Sequence, residues 1–508
     1  MIKRISTPGF LGIFLGMLLG WMPLQANPEA IFQDARIVAA KEHLIHFRFA
    51  DAERILRPMV KNEKDELTRA VAAYHLATMA SWRYFFDPTN DNFEAYKLEA
   101  DRFRSETRYL ADVKWRRFLT GEAAFQKAGI LSIRNDMLNA AMSAREAYNA
   151  YTKCIEEFPD FVEVQKSMGI MEVMIGSAPR TVRGLLSVVG FSGDVQVGLD
   201  HLMVSAQKSQ WVREEAIMFY AFMDESLNDA RRNGVHELEA LVQKNPESPM
   251  LNYVLGYLYR NLHMVDQAVP LLEKSVRDRA NKSVFSPAMF DYYLADAYFR
   301  QNRLDEAIQI FRRFIQDFAG TSLKSAAWLR IGWALELKGD RAGAIVAYQH
   351  VQDDASNSDE NAYRQSKIRV QTPMTPVEKL LLQTQNAADA GHNDEAIQLA
   401  TQIIEDQTAT PVNRAEAHYR LGQALQRKGQ FAEALLPYQK AVDEPGDPLA
   451  KWGPYSQFYI GECLEALGRK NEAIAAYRKT LNYKEKFDYH VGLEQQARAA
   501  LSRVNARS

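Results

Sequence analysis

Six times along this chain a small residue is followed twelve positions later by an alanine that opens a new apolar run. The pairs are Gly256/Ala268, Ala295/Ala307, Gly332/Ala344, Thr384/Ala396, Gly422/Ala434 and Gly461/Ala473, with Thr384 the one poor fit. The alanine-to-alanine steps vary (39, 37, 52, 38 and 39 residues) while the internal offset does not. Each unit therefore reads as a rigid pair of helices joined by a constant turn, with spare length lying after the second helix. The small residues are expected to let the two helix backbones approach. No such pair buries its apolar face alone, so a run of them is stable only when stacked. The expected fold is all-α: a helical-repeat solenoid of antiparallel helix hairpins over residues 234–505, preceded at 27–233 by a less regular half with longer helices.

The best copies carry a fuller pattern. Leu421, Gly422, Leu425, Gly429, Ala434, Tyr438 and Ala441 fall in one, and Ile460, Gly461, Leu464, Gly468, Ala473 and Tyr477 in the next. Leu294, Ala295, Tyr298, Ala307 and Phe311 form a third, and Trp328, Gly332, Gly339, Ala344 and Tyr348 a fourth. Leu255, Gly256, Tyr259, Ala268 and Leu272 form a fifth, and a degenerate copy surrounds Gly391 and Ala396. These residues resemble the signature of tetratricopeptide (TPR) repeats, which implies a binding scaffold. Gly339, Gly391, Gly429 and Gly468 sit where the first helix must turn and accept left-handed dihedrals. Asp266, Asp305 and Asp394 precede the second-helix alanines, where carboxylates favour a helix N-terminus. Phe311, Tyr348, Tyr438 and Tyr477 are expected to fill the groove between one hairpin and the next. The long step contains residues 352–376, a polar stretch with two prolines and no apolar period, read as a loop or hinge.

The first half has its own landmarks. Residues 32–61 form a hairpin-like unit with Ala52 and Leu56 in its second helix, and residues 66–87 a helix rich in alanine and aromatics. Residues 110–158 keep a helical period with Gly121 and Ala144 twenty-three apart, so two longer helices are expected. Pro179, Leu185, Leu186, Gly190, Phe191, Ser192, Gly193, Asp194, Gly198, Leu199 and Leu202 follow. Over about 110–225 this pattern resembles the eukaryotic family of the yeast inclusion-body clearance protein and its animal tetratricopeptide homologues. The resemblance implies the fold and a non-enzymatic protein, without chemistry. Physically, GFSGD is a tight turn in which Gly190 and Gly193 supply unusual dihedrals and Asp194 or Ser192 caps the next helix.

Lys3 and Arg4 precede the apolar run FLGIFLGMLLGWM, and PLQA leads into polar sequence, so residues 1–26 read as a secretory signal peptide cleaved after Ala26, the alternative being an uncleaved anchor, for which the run is a little short. Export to the periplasm of a Gram-negative-type bacterium, or peripheral attachment to its outer membrane, follows from that reading. The formal net charge is −2, and loss of Lys3 and Arg4 takes it to −4. With no basic stripe, nucleic-acid binding is disfavoured. The two cysteines, Cys154 and Cys463, are too far apart for a ready disulfide and read as small core residues.

Enzyme signatures fail. His236–Glu237 opens like a metalloprotease helix, but position 240 is Ala; Ser192 lacks the outer glycine of a nucleophile elbow; and His43 and His46 have no further ligands nearby. No catalytic residue, metal ligand or cofactor is assigned. The inner groove lined by the first helices remains, and Tyr253, Tyr257, Tyr292, Arg300, Trp333, Tyr419, Arg427 and Phe458 are expected to face it, with Arg260 beside them. Aromatics and arginine anchor peptide partners. Two readings follow: an exported scaffold that binds a protein or peptide segment, and a binding protein that contacts lipid or membrane through residues 165–225.

Overall fold

The computed structural model describes residues 30–178, 190–227, 233–281, 283–352, 360–444, 450–483, 487 and 490–506. The leader 1–26 and Pro179, Leu185 and Leu186 of the distinctive segment lie outside the described residues. Twenty-four α-helices and no strand occur among those described. The first half comprises α1 (Ala35–Ile45), α2 (Phe49–Asn62), α3 (Glu66–Phe86), α4 (Asn90–Arg108), α5 (Val113–Ile133), α6 (Met137–Glu157), α7 (Gln165–Ser177), α8 (Val195–Lys208), α9 (Arg213–Leu227) and α10 (Asn233–Lys244). Next come α11 (Pro249–Asn261), α12 (Val265–Arg277), α13 (Ala288–Arg300), α14 (Leu304–Asp317), α15 (Lys324–Lys338), α16 (Arg341–Gln349) and α17 (Glu360–Gln371). The chain finishes with α18 (Pro376–Ala390), α19 (Asn393–Glu405), α20 (Pro411–Arg427), α21 (Phe431–Asp443), α22 (Trp452–Ala466), α23 (Lys470–Thr480) and α24 (His490–Ala506).

The constant offset has a structural cause. Seven residues after each small residue the backbone turns left-handed: His263, Asn302, Gly339, Gly391, Gly429 and Gly468 all have φ between 57° and 90°. One such residue per turn reverses the chain between the first and second helix of every hairpin. Asp266, Asp305 and Asp394 lie in the first turn of the second helix, where the helix dipole favours them. The spare length does lie after the second helices, as in the connection between α12 and α13.

The small residue does something other than admit a neighbouring backbone. A Cβ on Gly332 would stand 2.2 Å from Tyr348 Cε1, one on Gly422 2.6 Å from Tyr438 Cδ1, and one on Gly461 2.5 Å from Tyr477 Cε1. In each case the ring comes from the second helix of the same hairpin, sixteen residues on. The glycine is a notch for that ring, so these aromatics lock each hairpin internally, and Tyr438 also stacks on Tyr459 of the next hairpin at 5.6 Å. The longer α5–α6 hairpin repeats the device with Gly121 and Tyr151. True backbone contact occurs at Gly169 and Gly198, where each missing Cβ would lie 2.7 Å from the other's carbonyl oxygen.

Residues 352–376 are not a loop throughout, because α17 occupies Glu360–Gln371. Its apolar content is too small to register as a period. Ala362 and Ser366 are buried, one turn apart, and with the partly buried Val370 they lay a narrow stripe on α15 and α16. Pro376, read as a breaker, is the first residue of α18, capped by Thr375 and Glu378 in a reciprocal box.

In the first half, α3 is buried on nearly all sides, and its alanines let its neighbours pack closely. Gly190 is left-handed at φ 83°, whereas Gly193 is glycine for room: a Cβ there would meet Ile175 Cβ at 2.6 Å. Asp194 caps α8, accepting from the Gln196 and Val197 amides, while Ser192 binds Tyr148 instead. The two halves join through aromatic packing. Phe47 and Phe49 pack on Phe285, Phe47 stacks on Phe290, and the Phe285 amide donates to the Phe47 carbonyl at 2.8 Å. Cys154 and Cys463 are both free and buried.

The notch predicts a coupled pair. Gly332→Ala should destabilise the fold by roughly 1–3 kcal/mol through overpacking, and Tyr348→Leu in that background should recover part of the loss. In urea unfolding followed by circular dichroism, the double mutant cycle should show a non-zero coupling; additive effects would contradict a ring seated in the notch.

Candidate functional site

The first-helix face holds the residues expected to line a groove, and the structure divides them. Tyr257 on α11 is half-buried, and its ring stacks on Phe222 of α9 at 5.8 Å and meets Tyr293 of α13 edge-on at 5.0 Å. Tyr253, one turn earlier, lies flat on Phe290 at 3.9 Å. Phe222 and Phe219 remain 42% and 39% exposed, so this aromatic row, from α9 across α11 to α13, reaches solvent. Trp333 is partly buried over Phe299 at 6.4 Å. Tyr292, Tyr419 and Phe458 do not face a groove. They are buried against Phe311 and Phe314, against Trp452 and Tyr438, and against Tyr477 respectively. A tyrosine one residue away from the outward position on a helix points into the hairpin interior, a difference of about 100° that a repeat pattern read by spacing does not resolve.

The arginines turn out to be structural. Asp296 of α13, 2% exposed at its side chain, receives Arg260 of α11 at 2.6 Å, Arg300 of its own helix at 2.9 Å and Arg330 of α15 at 2.7 Å. Burial alone would raise the Asp296 carboxyl, but the three guanidinium groups overcome it and hold the group well below the usual carboxylate range. Asp389 of α18 forms a second centre. Burial is again outweighed, here by Arg420, Arg300, His263 and Arg427, and its carboxyl too is held far down. Arg300, taken out of water beside Arg260, has a depressed pKa. Glu416 moves the other way, raised by burial against the pull of Arg420 and Lys451.

Arg427 reaches across the array. It donates to the Ala388 carbonyl and, at 2.7 Å, to Nε2 of His263 in the α11–α12 turn. Since Nε2 accepts, the ring proton sits on Nδ1, 3.2 Å from the Asp389 carbonyl oxygen. Replacing Tyr419 and Arg427 would therefore unsettle packing and cross-array contacts, and would not report on a groove.

A third buried centre lies in the first half. Glu122 of α5 accepts from Lys166 Nζ at 3.0 Å, Tyr151 at 2.8 Å and Tyr74 at 3.3 Å, and Lys166 also binds Glu215 at 2.8 Å. Burial would lower the Lys166 ammonium, yet Glu122 and Glu215 more than reverse it. Nearby, Trp211 Nε1 donates to His75 Nε2 at 3.1 Å, and burial pushes His75 down to about 3. Sequence reasoning missed all three centres. The one signal available was an ionisable residue inside an otherwise apolar helix, as at Asp296 in AMFDYYLADAYFR.

Comparison with known proteins decides the family of the regular half. A tetratricopeptide repeat model matches residues 264–322, 292–359 and 381–448, and a second tetratricopeptide repeat model matches 455–483. The regular half carries tetratricopeptide repeats. Among solved structures it is similar to the crystal structure of the yeast Tom70, at 12% identity and a TM-score of 0.29, covering 89% of this chain and 96% of that one. It is also similar to the crystal structure of the P58(IPK) TPR domain, at 13% identity and a TM-score of 0.22, covering 85% of this chain and 97% of that one. No curated protein matches. The matched spans fall within the tetratricopeptide array, so the resemblance of 110–225 to the inclusion-body clearance family rests on its residues alone.

Within the array the Asp296 centre should be visible in stability. Asp296→Asn leaves three buried arginines without their anion and should cost about 3–5 kcal/mol. The depressed carboxyls of Asp296 and Asp389 contribute stability that is present above the unfolded carboxylate pKa of about 3.9 and is lost as pH falls below it. Urea midpoints measured from pH 5 to pH 3 should therefore fall steeply for the native protein and less steeply for Asp296→Asn. Equal slopes would remove the assignment.

Proposed function

We propose that this protein is an exported, non-catalytic scaffold that holds an extended protein segment against the first-helix face of α9, α11 and α13. A tetratricopeptide array is a protein–protein interaction scaffold, and the question is which surface is used. The aromatic row of Phe219, Phe222, Tyr257 and Tyr293 carries the proposal. It joins three successive first helices, stays partly open to solvent, and presents rings whose neighbours hold them in place, the property that makes an aromatic an interface anchor. Arg260 lies over Tyr293 at 5.4 Å and, held on Asp296, backs that ring. Of the residues expected from sequence, Tyr253 and Tyr257 stay in this proposal. Arg300 and Arg427 belong to the buried networks.

Export rests on Lys3, Arg4, the apolar run and the small residue at Ala26. No described helix is long and apolar enough to cross a membrane. A lipid-binding reading keeps one observation in its favour: Met174 and Val197 are exposed within 165–225, and Met137, Leu138 and Met142 are exposed on α6. Affinity capture from the native envelope, with mass spectrometry of the protein and lipid fractions, separates the two.

Phe222→Ala combined with Tyr257→Ala should reduce recovery of a stoichiometric protein partner at least tenfold, with unchanged helicity; unchanged recovery would discard the row. In the same preparation the mature N-terminus should be Asn27. A chain that retains Met1 would discard cleavage, and lipid recovered without protein would favour the second reading.

A further inference from the structure

A stacked array normally brings each hairpin into contact with its immediate neighbours. Here two turns far apart in sequence meet. The Gly391 backbone in the α18–α19 turn lies so close to the α11–α12 turn that a Cβ would stand 2.0 Å from the His263 carbonyl oxygen. Around this point His263 binds Asp389 and Arg427, and His392 pairs with Asp266 at 3.0 Å. Asn386 donates to the Phe299 carbonyl at 3.0 Å and to Asn302 at 2.9 Å. His263 and Asp389 are 126 residues apart in the chain. His263 is also the one histidine among the left-handed turn residues, where four of the six are glycine, and its φ of 57° is a conformation a histidine adopts at a cost. Asn302 occupies the equivalent position one hairpin later and likewise spends its side chain on α18.

We propose that the His263–Gly391 contact is a latch that closes the array on itself, and that protonation of His263 releases it. The charged groups facing the ring come from three packed elements: Arg427 of α20, Asp389 of α18 and Arg300 of α13; Asp266, His392 and Glu395 flank the contact at its exposed edge. An imidazolium could not accept from Arg427 and would stand against two guanidinium groups with one carboxylate to offset them. Burial first, and Arg427 second, accordingly hold His263 down to about 3.

The direction follows by linkage. A histidine whose pKa is depressed in the closed form and ordinary (about 6.5) in the open form leaves the closed form at full strength above pH 6.5. Closure weakens as pH falls from there towards 3. Between pH 7.5 and pH 5 the closed-to-open ratio should drop about thirtyfold. Release would free the turn after α11 from the Asp389 carbonyl of α18 and from Arg427 of α20. The latch goes beyond the scaffold reading and stands without it, since its test reads a distance and not a partner.

The test places spin labels at the exposed positions Gln267→Cys and Gln398→Cys and measures the interspin distance by pulsed electron resonance. One short distance is expected at pH 7.5, with a longer population growing as pH falls to 5. His263→Asn tolerates the left-handed turn without titrating and should abolish the pH response. Gly391→Ala should show the longer population already at pH 7.5, with helicity retained. An unchanged distance distribution in the native sequence from pH 7.5 to 5 overturns the latch, as does an undiminished pH response in His263→Asn. Should Gly391→Ala fail to fold, the His263→Asn comparison decides alone.

Discussion

A carboxylate removed from water has to be matched by cations at fixed positions, and Asp296 and Asp389 impose that requirement on the whole regular half. The arginines that satisfy them come from α11, α13, α15 and α20, and Asp389 itself from α18, so the two charges together tie five hairpins to common points. Apolar packing between neighbouring hairpins tolerates small rotations. A guanidinium fork held on a carboxylate does not, and this converts a stack of similar units into one with a defined course. Such buried pairs contribute little net stability relative to an apolar isostere, so their value here is registry.

The first half meets the same requirement by different means. Glu122, Lys166 and Glu215 form an alternating chain in which each charge touches its opposite, with Tyr74 and Tyr151 supplying further donors. Glu163 is matched by backbone instead, accepting the amides of Gln210 and Val212, with Trp211 between them, and so supplies the donors at the start of α9 with an acceptor. Burial raises its pKa, and these three amides oppose that rise. A helix beginning in mid-core, where water is absent, needs a partner of this kind.

Much of the fold was legible in the sequence because it depends on local geometry. The twelve-residue offset, the turn glycines and the two long helices around Gly121 all reflect the pitch of a helix and the steric demand of one turn. The purpose of the small residue was not legible, since Gly332 and Tyr348 are distant in sequence and a backbone approach satisfies the same spacing. At α17 a stripe of one alanine, one serine and one valine is too thin to stand out from a polar stretch. The face assignments of Tyr292, Tyr419 and Phe458 failed for an angular reason: one residue along a helix turns a side chain by about 100°, from the outer face into the hairpin. The Asp389 centre and the His263 contact were beyond reach, because closure of the array brings together positions whose separation no repeat period encodes.

Helix α11 belongs to both surfaces that the array presents. Its middle carries Tyr253 and Tyr257 of the aromatic row. Arg260, one turn on, lies over Tyr293 and binds Asp296, and the turn that follows holds His263 against α18. Tyr253, Tyr257 and Arg260 occupy a single short helix of thirteen residues, and His263 lies two residues beyond its end. A segment bound on the aromatic row and the closing contact at His263 therefore act on one element. By reciprocity, any difference in affinity for that segment between the closed and open array is the same free energy by which the segment shifts closure.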